Sequence, residues 1–433
     1  MANQEQKRGN IAAIATMFAL FFMIAFVTNF AGSMGVIVKE QFKASNTLSQ
    51  LGSAANFFAY LFMGIPGGLI LRRKGYKFTA LAAVAVGFAG VGVQLLSGYV
   101  GSFGVYVAGA FIAGFSMCML NLVVNPMLNT LGGEGKKGNQ LVQIGCSLNS
   151  VGATLAPIIL GILIGEITPK TAVSDAAPAL MIAMGLFALA FVIVALSKIP
   201  EPHMETAEEK AARLAGKTSV LADIKATLGF RHFTFGALCI FFYIIIECGI
   251  PNMANLYMTE QTKLVGGLVK NGPGYVGAVV AGAVVGAYWF CMMIGRLVGG
   301  AIGSKISSKV MITCCSVVAI TLLLVAMFIP VKMITVFGKE FPLSMGLVAL
   351  CGLCTSVMWG GIFNLAAEGL GKYVPMGSGI FMCCVFGGVC LPLQGLIADA
   401  VGSILQSYWL TIGLLAYVLL YAHVLSKPTK RAE

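Results

Sequence analysis

Long apolar runs alternate with short polar segments along almost the whole chain. A helix needs about 20 predominantly apolar residues to cross the roughly 30 Å hydrocarbon layer of a bilayer. The runs that reach this length lie at residues 11–38, 49–71, 78–99, 104–131, 139–165, 177–197, 233–258, 275–303, 310–330, 343–370, 377–400 and 406–425. The pattern therefore predicts an all-α integral membrane protein with twelve transmembrane helices.

The amino-acid composition agrees with a membrane location. Hydrophobic residues make up 58% of the 433 residues and charged residues only 10%, whereas charged residues are about 25% of a soluble domain. The mean hydropathy is +0.91. These values exclude an ordinary soluble globular protein.

Most of the 28 lysines and arginines lie in segments that would share a side with the N-terminus. An even number of crossings places both termini on one side, and the positive-inside rule assigns that side to the cytoplasm. Topology thus explains the net charge of +12, and we expect no nucleic-acid partner. We predict a multi-pass, monomeric protein of the cytoplasmic (inner) membrane, with lipid bilayer around it.

The cysteines and histidines do not indicate a metal site. All twelve cysteines fall within apolar segments, where free cysteine behaves as a small hydrophobic residue. No spacing of His with Cys suits a metal ion, and the sequence has no H-E-x-x-H, paired-aspartate or Ser-Lys pattern. We therefore predict that the protein has no cofactor or metal and is not an enzyme.

The longest polar stretch, residues 197–232, divides the chain into two sets of six apolar segments. Residues 1–197 and 233–433 would form two six-helix bundles, with 198–232 as a cytoplasmic linker. The fifth and eleventh segments share a pattern in the same direction, formed by Gly152, Pro157 and Gly161 and by Gly388, Pro392 and Gly395. Such a repeat predicts two parallel bundles with a substrate path between them.

Glu247 lies midway along the seventh segment, whereas most other charges lie near segment ends. A carboxylate at the centre of a bilayer costs about 2.5–3.5 kcal/mol on insertion scales, so it is expected to be paired or to have a function. A buried carboxyl group can exchange a proton near neutral pH and can hydrogen-bond a hydroxyl group. We predict that Glu247 binds substrate and couples transport to protons.

Amide side chains recur at helical spacing, as in Asn121, Asn125 and Asn129 on one face of the fourth segment. Amides donate and accept hydrogen bonds, which suits a neutral polyol such as a sugar. They can also hold helices together, which is the role we favour for Asn129. For Trp359, core packing explains the residue as well as sugar binding does. The predicted substrate contacts besides Glu247 are Asn29, Asn121, Asn125, Gln143, Asn149, Asn252, Trp359 and Asn364.

Charged residues near the inner ends of the segments are predicted to gate or anchor helices rather than to touch substrate. Glu368 and Lys372 have the spacing of an ion pair one helical turn apart. Arg72, Arg73 and Arg296 would stabilise helix C-termini. The central thirds of the segments contain no Lys or Arg, which argues against an acidic sugar as substrate unless helix N-termini replace the missing cation.

Several longer motifs resemble one family. They are IPGGLILRRKGYK (65–77), NPMLNTLGG (125–133), LNSVGATLAP (148–157), FFYIIIECGI (241–250), GRLVGG (295–300), FNLAAEGLGKY (363–373) and GSGIFMCCVFGGVCLPLQGLIAD (377–399). In order and spacing they are similar to the fucose/galactose/glucose:proton symporter branch of the major facilitator superfamily. The resemblance implies the major facilitator fold and import of a monosaccharide or sugar derivative by alternating access, driven by a proton gradient.

The chain departs from that branch in its N-terminal half. Asn121 stands where members carry an acidic residue, Cys146 stands where a Gln is expected, and the Asn-Asp pair of the first helix is missing. Glu247 therefore remains the candidate proton carrier. The open alternatives are a sugar uniporter, a carrier coupled to another cation, and a major facilitator carrier of a non-sugar small metabolite.

Overall fold

The computed structural model of the protein describes residues 2–42, 48, 51–132, 135–164, 172–201, 204–214, 220–264, 275–302, 306–336, 339–370 and 373–428. Almost all of these residues are helical. Twelve helical stretches, numbered below as spans in chain order, run back and forth through the molecule.

Six spans form the N-terminal half. Span 1 is Ala2–Ser33 followed by Gly35–Phe42, spans 2 and 3 are the stretch Leu51–Val100 with a break at Gly75, span 4 is Phe103–Leu131, span 5 is Gly135–Ile164, and span 6 is Ala177–Leu196 after a 3-10 turn at Val173–Ala176. Two short helices follow, Ala207–Leu214 and Val220–Leu228. We call the span ends next to these two helices the linker end.

The C-terminal half repeats this order of spans. Span 7 is Arg231–Leu264, span 8 is Tyr275–Ile302, span 9 is Ser308–Phe328, span 10 is Leu343–Thr355 with Met358–Ala367, span 11 is Val374–Cys384 with a 3-10 segment Val385–Cys390 and Leu391–Val401, and span 12 is Leu405–Ser407 with Tyr408–Leu420 and a π-helical turn Tyr421–Leu425. A hairpin of Met333–Val336 and Lys339–Pro342 joins spans 9 and 10. We call the span ends next to it the hairpin end. The structure thus differs from the all-α prediction by one short antiparallel hairpin in a loop.

The spans are long and apolar enough to cross a bilayer. Among the described residues, ten helices meet this criterion, and one of them, Leu51–Val100, has 50 residues and supplies two crossings. The shorter apolar stretch Ile144–Leu160 lies within span 5. Each of the twelve apolar segments predicted from the sequence overlaps one span.

The two halves meet mainly where span 5 packs on span 8 and where span 2 packs on span 11. A side chain at Gly64 of span 2 would overlap Cys383, and one at Gly388 of span 11 would overlap the ring of Phe57. Small residues allow this close approach, which matters in a bilayer because the hydrophobic effect does not draw apolar helices together there.

The glycine pattern shared by the two halves has a structural counterpart. Gly152 of span 5 packs on the carbonyl group of Phe22 in span 1, and Gly387 of span 11 packs in the same way on the carbonyl group of Phe241 in span 7. The structural equivalent of Gly152 is therefore Gly387, one residue before the Gly388 that the sequence pattern indicated. The division at residues 198–232 stays a prediction.

Sequence analysis did not identify the network that holds the linker end of the N-terminal half. The Glu201 carboxylate accepts hydrogen bonds from the backbone N–H groups of Tyr76 and, at 3.0 Å, Lys77. Lys77 Nζ donates to the carbonyl oxygens of Ala195 at 2.7 Å and Ser197 at 3.0 Å, a favourable place for a cation at a helix C-terminus. The loop between spans 2 and 3 is therefore tied to the end of span 6.

We expect Gly75→Ala to lower the apparent melting temperature of the detergent-purified protein. Gly75 has φ 85° and ψ 174°, and a Cβ atom there would overlap the Glu201 carboxylate. Strain of this kind costs about 1–3 kcal/mol. Gly68→Ala is the matched control, because a Cβ atom at Gly68 would meet open space. Equal melting temperatures for the two variants would contradict the expected strain.

Candidate functional site

Glu247 lies near the middle of span 7 and is 9% exposed. Its carboxylate oxygen Oε1 accepts two hydrogen bonds, from Tyr243 Oη at 2.8 Å and from Arg296 Nη2 at 3.2 Å. The contact with Arg296 is a buried salt bridge. Both bonds end on Oε1, and no hydrogen bond from the described residues reaches Oε2. The described residues thus hold this carboxylate through one oxygen.

Arg296 connects the two halves of the molecule. It belongs to span 8, is 7% exposed, and donates from Nη1 to Cys146 O and to Ser150 Oγ of span 5, both at 2.8 Å. The sequence places Arg296 near the inner end of its helix, but the long side chain carries its charge to the middle of span 7. No Lys or Arg lies in the central third of a segment, and yet this region contains a cation. Arg296 supplies one, already paired with Glu247.

Two tyrosines and a threonine surround the ion pair. The Tyr243 hydroxyl also lies 3.2 Å from the carbonyl oxygen of Thr355 in span 10. Tyr288 Oη donates to the backbone oxygen of Glu247 at 3.0 Å and lies 3.0 Å from Thr355 Oγ1. Sequence analysis missed all three residues. The one-turn spacing of Tyr243 and Glu247 was an available signal, whereas the contacts of Tyr288 and Thr355 join different spans and leave no local pattern.

Trp359 lies on the second helix of span 10 and is half-buried. Its ring centroid is 6.2 Å from that of Tyr243, and 5.7 Å from that of Phe381 in an edge-to-face contact. An indole offers a flat apolar face and an N–H donor. Trp359 and Glu247 therefore share Tyr243 as a neighbour, and the contact of Trp359 with substrate stays a prediction.

The amides of span 4 form a second polar cluster, in the N-terminal half. Asn121 Nδ2 donates to Tyr60 Oη of span 2 at 3.1 Å and to Met117 O at 3.0 Å, and Asn125 Nδ2 donates to Asn121 O at 2.9 Å. These bonds fit the helix-packing alternative for the amides. No hydrogen bond between described side chains joins this cluster to Glu247.

Asn29 and Asn149 also donate to backbone carbonyl groups. Asn29 Nδ2 donates to Ala25 O within span 1 at 3.0 Å, and Asn149 Nδ2 donates to Phe21 O at 3.1 Å, which joins span 5 to span 1. Asn149 directly precedes Ser150, the serine that Arg296 contacts. Gln143 lies on span 5, but its side chain is outside the described part of the structure.

The remaining predicted residues of the C-terminal half lie on spans 7 and 10. Asn252 is half-buried, while the side chains of Asn364 and Glu368 are exposed. The carbonyl oxygen of Glu368 lies 2.6 Å from His232 Nε2, a contact that joins the end of span 10 to the start of span 7. Lys372 is outside the described residues, so its ion pair with Glu368 stays a prediction.

Arg72 and Arg73 have exposed side chains at the linker end of span 2. The carbonyl group of Arg72 accepts a hydrogen bond from the backbone N–H of Glu205 at 2.8 Å. Lys77, in the same basic loop, is the residue that contacts the C-terminus of span 6. The gating role of the two arginines stays a prediction.

The electrostatic arrangement at the ion pair suits an uncharged ligand. Glu247 and Arg296 neutralise each other while both are ionised, and protonation of the carboxylate would leave one positive charge without compensation in a buried place. In the part of the chain that the structure describes, no group of three or more His, Cys, Asp or Glu residues could hold a metal ion. The chemistry that the described groups offer is therefore hydrogen bonding by the carboxylate and by the tyrosine and threonine hydroxyls, without a metal cluster.

The twelve spans form two halves in which the spans run in the same order, and an ion pair is buried near the interface between them. This is the architecture of a membrane transporter. Residues 16–391 match the Major Facilitator Superfamily. The chain belongs to this superfamily.

Individual relatives extend over nearly the full length. The chain is 27% identical over 418 residues to a glucose/galactose transporter of Brucella abortus, covering 96% of this chain and 94% of that protein. It is 22% identical over 422 residues to the L-fucose-proton symporter of Escherichia coli, covering 92% and 90%. A crystal structure of the Escherichia coli fucose:proton symporter covers 97% of this chain and 100% of that one, with a TM-score of 0.68 at 19% identity. This likeness confirms the predicted fold.

We expect Glu247→Gln and Arg296→Gln to have non-additive effects on thermal stability. Removing one member of a buried ion pair leaves the other charge uncompensated and costs about 3–5 kcal/mol, so each single variant should melt well below the parent protein. The double variant removes both charges and should melt closer to the parent than either single variant does. Melting temperatures of all four proteins near neutral pH give the coupling. Simple addition of the two losses would refute an energetic pairing.

Proposed function

We propose that the protein is a secondary active transporter that imports a monosaccharide or sugar derivative by alternating access, coupled to protons through Glu247. The observation that carries this proposal is the buried carboxylate of Glu247, whose partner Arg296 also binds the opposite half. Carriers of this kind hold substrate and coupling ion near the midplane, between their repeats. The two relatives described above are a glucose/galactose transporter and an L-fucose-proton symporter, which favours a sugar as substrate.

A neutral sugar suits the side chains near the ion pair. Oε2 of Glu247 can accept a bond from a sugar hydroxyl, and Trp359 presents an indole face for an apolar side of the ring. An asparagine that donates to a backbone carbonyl group can exchange that bond for one to a sugar. We therefore retain as proposed substrate contacts Glu247, Trp359, Asn29, Asn121, Asn125, Gln143, Asn149, Asn252 and Asn364.

The ion pair also suits proton coupling. Burial disfavours the charged carboxylate of Glu247, while the guanidinium of Arg296 favours it. A carboxyl group under two opposed influences of this kind can change its protonation state as its surroundings change during transport. Proton symport through Glu247 follows as the first mechanism.

The proposed orientation places the linker end in the cytoplasm of a cell with an inner membrane. Arg72, Arg73 and Lys74 are exposed at that end, as the positive-inside rule requires. Both termini then lie in the cytoplasm, and residues 198–232 link the two halves there. We propose a monomer without a cofactor, whose partners are the sugar, protons and the bilayer.

We expect Glu247→Gln to abolish sugar accumulation driven by a pH gradient while exchange of sugar down its own gradient persists. Glutamine keeps the size of the side chain and one oxygen that accepts hydrogen bonds, but it cannot take up a proton. The measurement is uptake of labelled glucose, galactose and fucose into proteoliposomes with and without an imposed pH gradient. Glu340→Gln, at an exposed residue of the hairpin, is the matched control. Continued accumulation by Glu247→Gln would rule out its proton role and favour a uniporter or another coupling cation.

We expect neutral hexoses or deoxyhexoses to raise the apparent melting temperature of the purified protein. A ligand that binds only the folded state adds RT ln(1 + [L]/Kd), about 2.7 kcal/mol at a hundredfold excess over Kd. Sugar acids, amino sugars and non-sugar metabolites at equal concentration serve as comparisons. A response to the non-sugars alone would favour the other candidate, a carrier of a non-sugar small metabolite.

A further inference from the structure

We infer that Arg296 is a positioning residue that holds the two halves together at the linker end while Glu247 is ionised and releases them when Glu247 is protonated. The inference rests on the proposed function and adds the step by which a proton would change the conformation. It gives Arg296 a role distinct from substrate binding.

The geometry of one guanidinium group carries the inference. Nη2 of Arg296 binds Glu247 in the C-terminal half, and Nη1 binds Cys146 O and Ser150 Oγ in the N-terminal half. The group is planar, and its N–H donors have fixed directions. The salt bridge of Nη2 with Glu247 therefore orients Nη1, which donates to the N-terminal half.

These contacts lie in the part of the interface that must separate for the linker end to open. Span 5 starts at the linker end with Gly135, so Cys146 lies in its first half and Ser150 at its midpoint. Span 8 ends there with Ile302, six residues after Arg296. Opening the linker end moves span 5 away from span 8, and the bonds of Nη1 must then break.

Protonation of Glu247 changes the energy of that opening. While both groups are charged, the buried guanidinium is compensated. A proton taken from water at the hairpin end forms an O–H bond on the carboxylate, and Arg296 is left as an uncompensated buried charge, which is unfavourable. Opening at the linker end exposes Arg296 to water and lets Glu247 release the proton there. The ion pair then re-forms and favours closure.

Between about pH 5 and pH 8, Glu247 is the described group at this site whose charge can change. Tyrosine ordinarily ionises near about pH 10, burial disfavours the charged thiolate form of cysteine, and arginine stays protonated. Span 10 presents Thr355 and span 11 presents Gln394 near this part of span 7, and neither titrates. The titratable groups around Glu247 are Tyr243 and Cys248 of span 7, Tyr288 and Arg296 of span 8, Cys146 of span 5 and Tyr408 of span 12.

The test is a distance measurement across the linker end. Genetically encoded spin labels at Phe78 in span 3 and Val310 in span 9, both exposed, report on the two halves by double electron–electron resonance in nanodiscs. In the absence of sugar, we expect the short distance to dominate at pH 8 and a longer one to grow as the pH falls, because the protonated form favours opening. Glu247→Gln should show the longer distance at every pH.

A second variant separates the role of Arg296 from that of Glu247. Ser150→Ala removes one acceptor in the N-terminal half and leaves the ion pair in place, so the ratio of open to closed molecules at pH 8 should rise roughly tenfold. Ser316→Ala is the matched control, since Ser316 is a buried serine of span 9. The inference would be overturned if the distance between the spin labels did not change with pH. It would also be overturned if Ser150→Ala and Ser316→Ala had the same ratio of open to closed molecules.

The two proposals can fail separately. Suppose that Glu247→Gln loses proton-driven uptake while the distances between the spin labels are unaffected by pH and by Ser150→Ala. The transport proposal is then supported, and the role of Arg296 is refuted. If the distances between the spin labels respond as expected but no sugar accumulates, the link between protonation and opening is supported and the proposed substrate is refuted.

Discussion

The central constraint on this molecule is that a buried charge must be compensated by a neighbour. Glu247 and Arg296 meet this requirement within one half, because spans 7 and 8 follow each other in the chain and pack together. Among the described residues of the N-terminal half, the acceptors of Arg296 are the neutral groups Cys146 O and Ser150 Oγ. Opposite charges in a low-dielectric interior attract strongly, so they are costly to separate. When the halves part, Arg296 loses its bonds to neutral acceptors, and the two charges stay together.

Much of this architecture could be predicted from the sequence because the bilayer imposes a fixed length on apolar helices. Glu247 was identified for the same reason: a charge in the middle of such a helix is unusual. The partner was not identified. The backbone of Arg296 lies near a helix end, and the direction taken by its long side chain depends on spans 5 and 7, which are remote in sequence. The contact of Tyr288 with Thr355 is equally remote and equally hidden.

Two other sequence patterns show where local reasoning stops. The repeated amides predicted a polar face. Their chemistry fits both sugar binding and helix packing, and the two roles can be distinguished only from the hydrogen-bond partners. Asn149, for example, donates to the carbonyl oxygen of Phe21 in another span. The glycine repeat was displaced by one residue, to Gly387. Gly387 lies five residues before Pro392, as Gly152 lies five residues before Pro157. The spacing to the proline identifies the equivalent glycine, whereas the choice between two adjacent glycines is ambiguous by eye.

The network at the linker end of the N-terminal half has a mechanical consequence. Glu201 is held by the loop between spans 2 and 3, and Glu205 N–H is bound to Arg72 O. Ser197, Glu201 and Glu205 are therefore bound to the N-terminal half, and the connection to the C-terminal half starts after Glu205. A connecting segment with fewer residues spans a shorter distance. The anchoring of Glu201 thus sets an upper limit on how far the two halves can swing apart at this end.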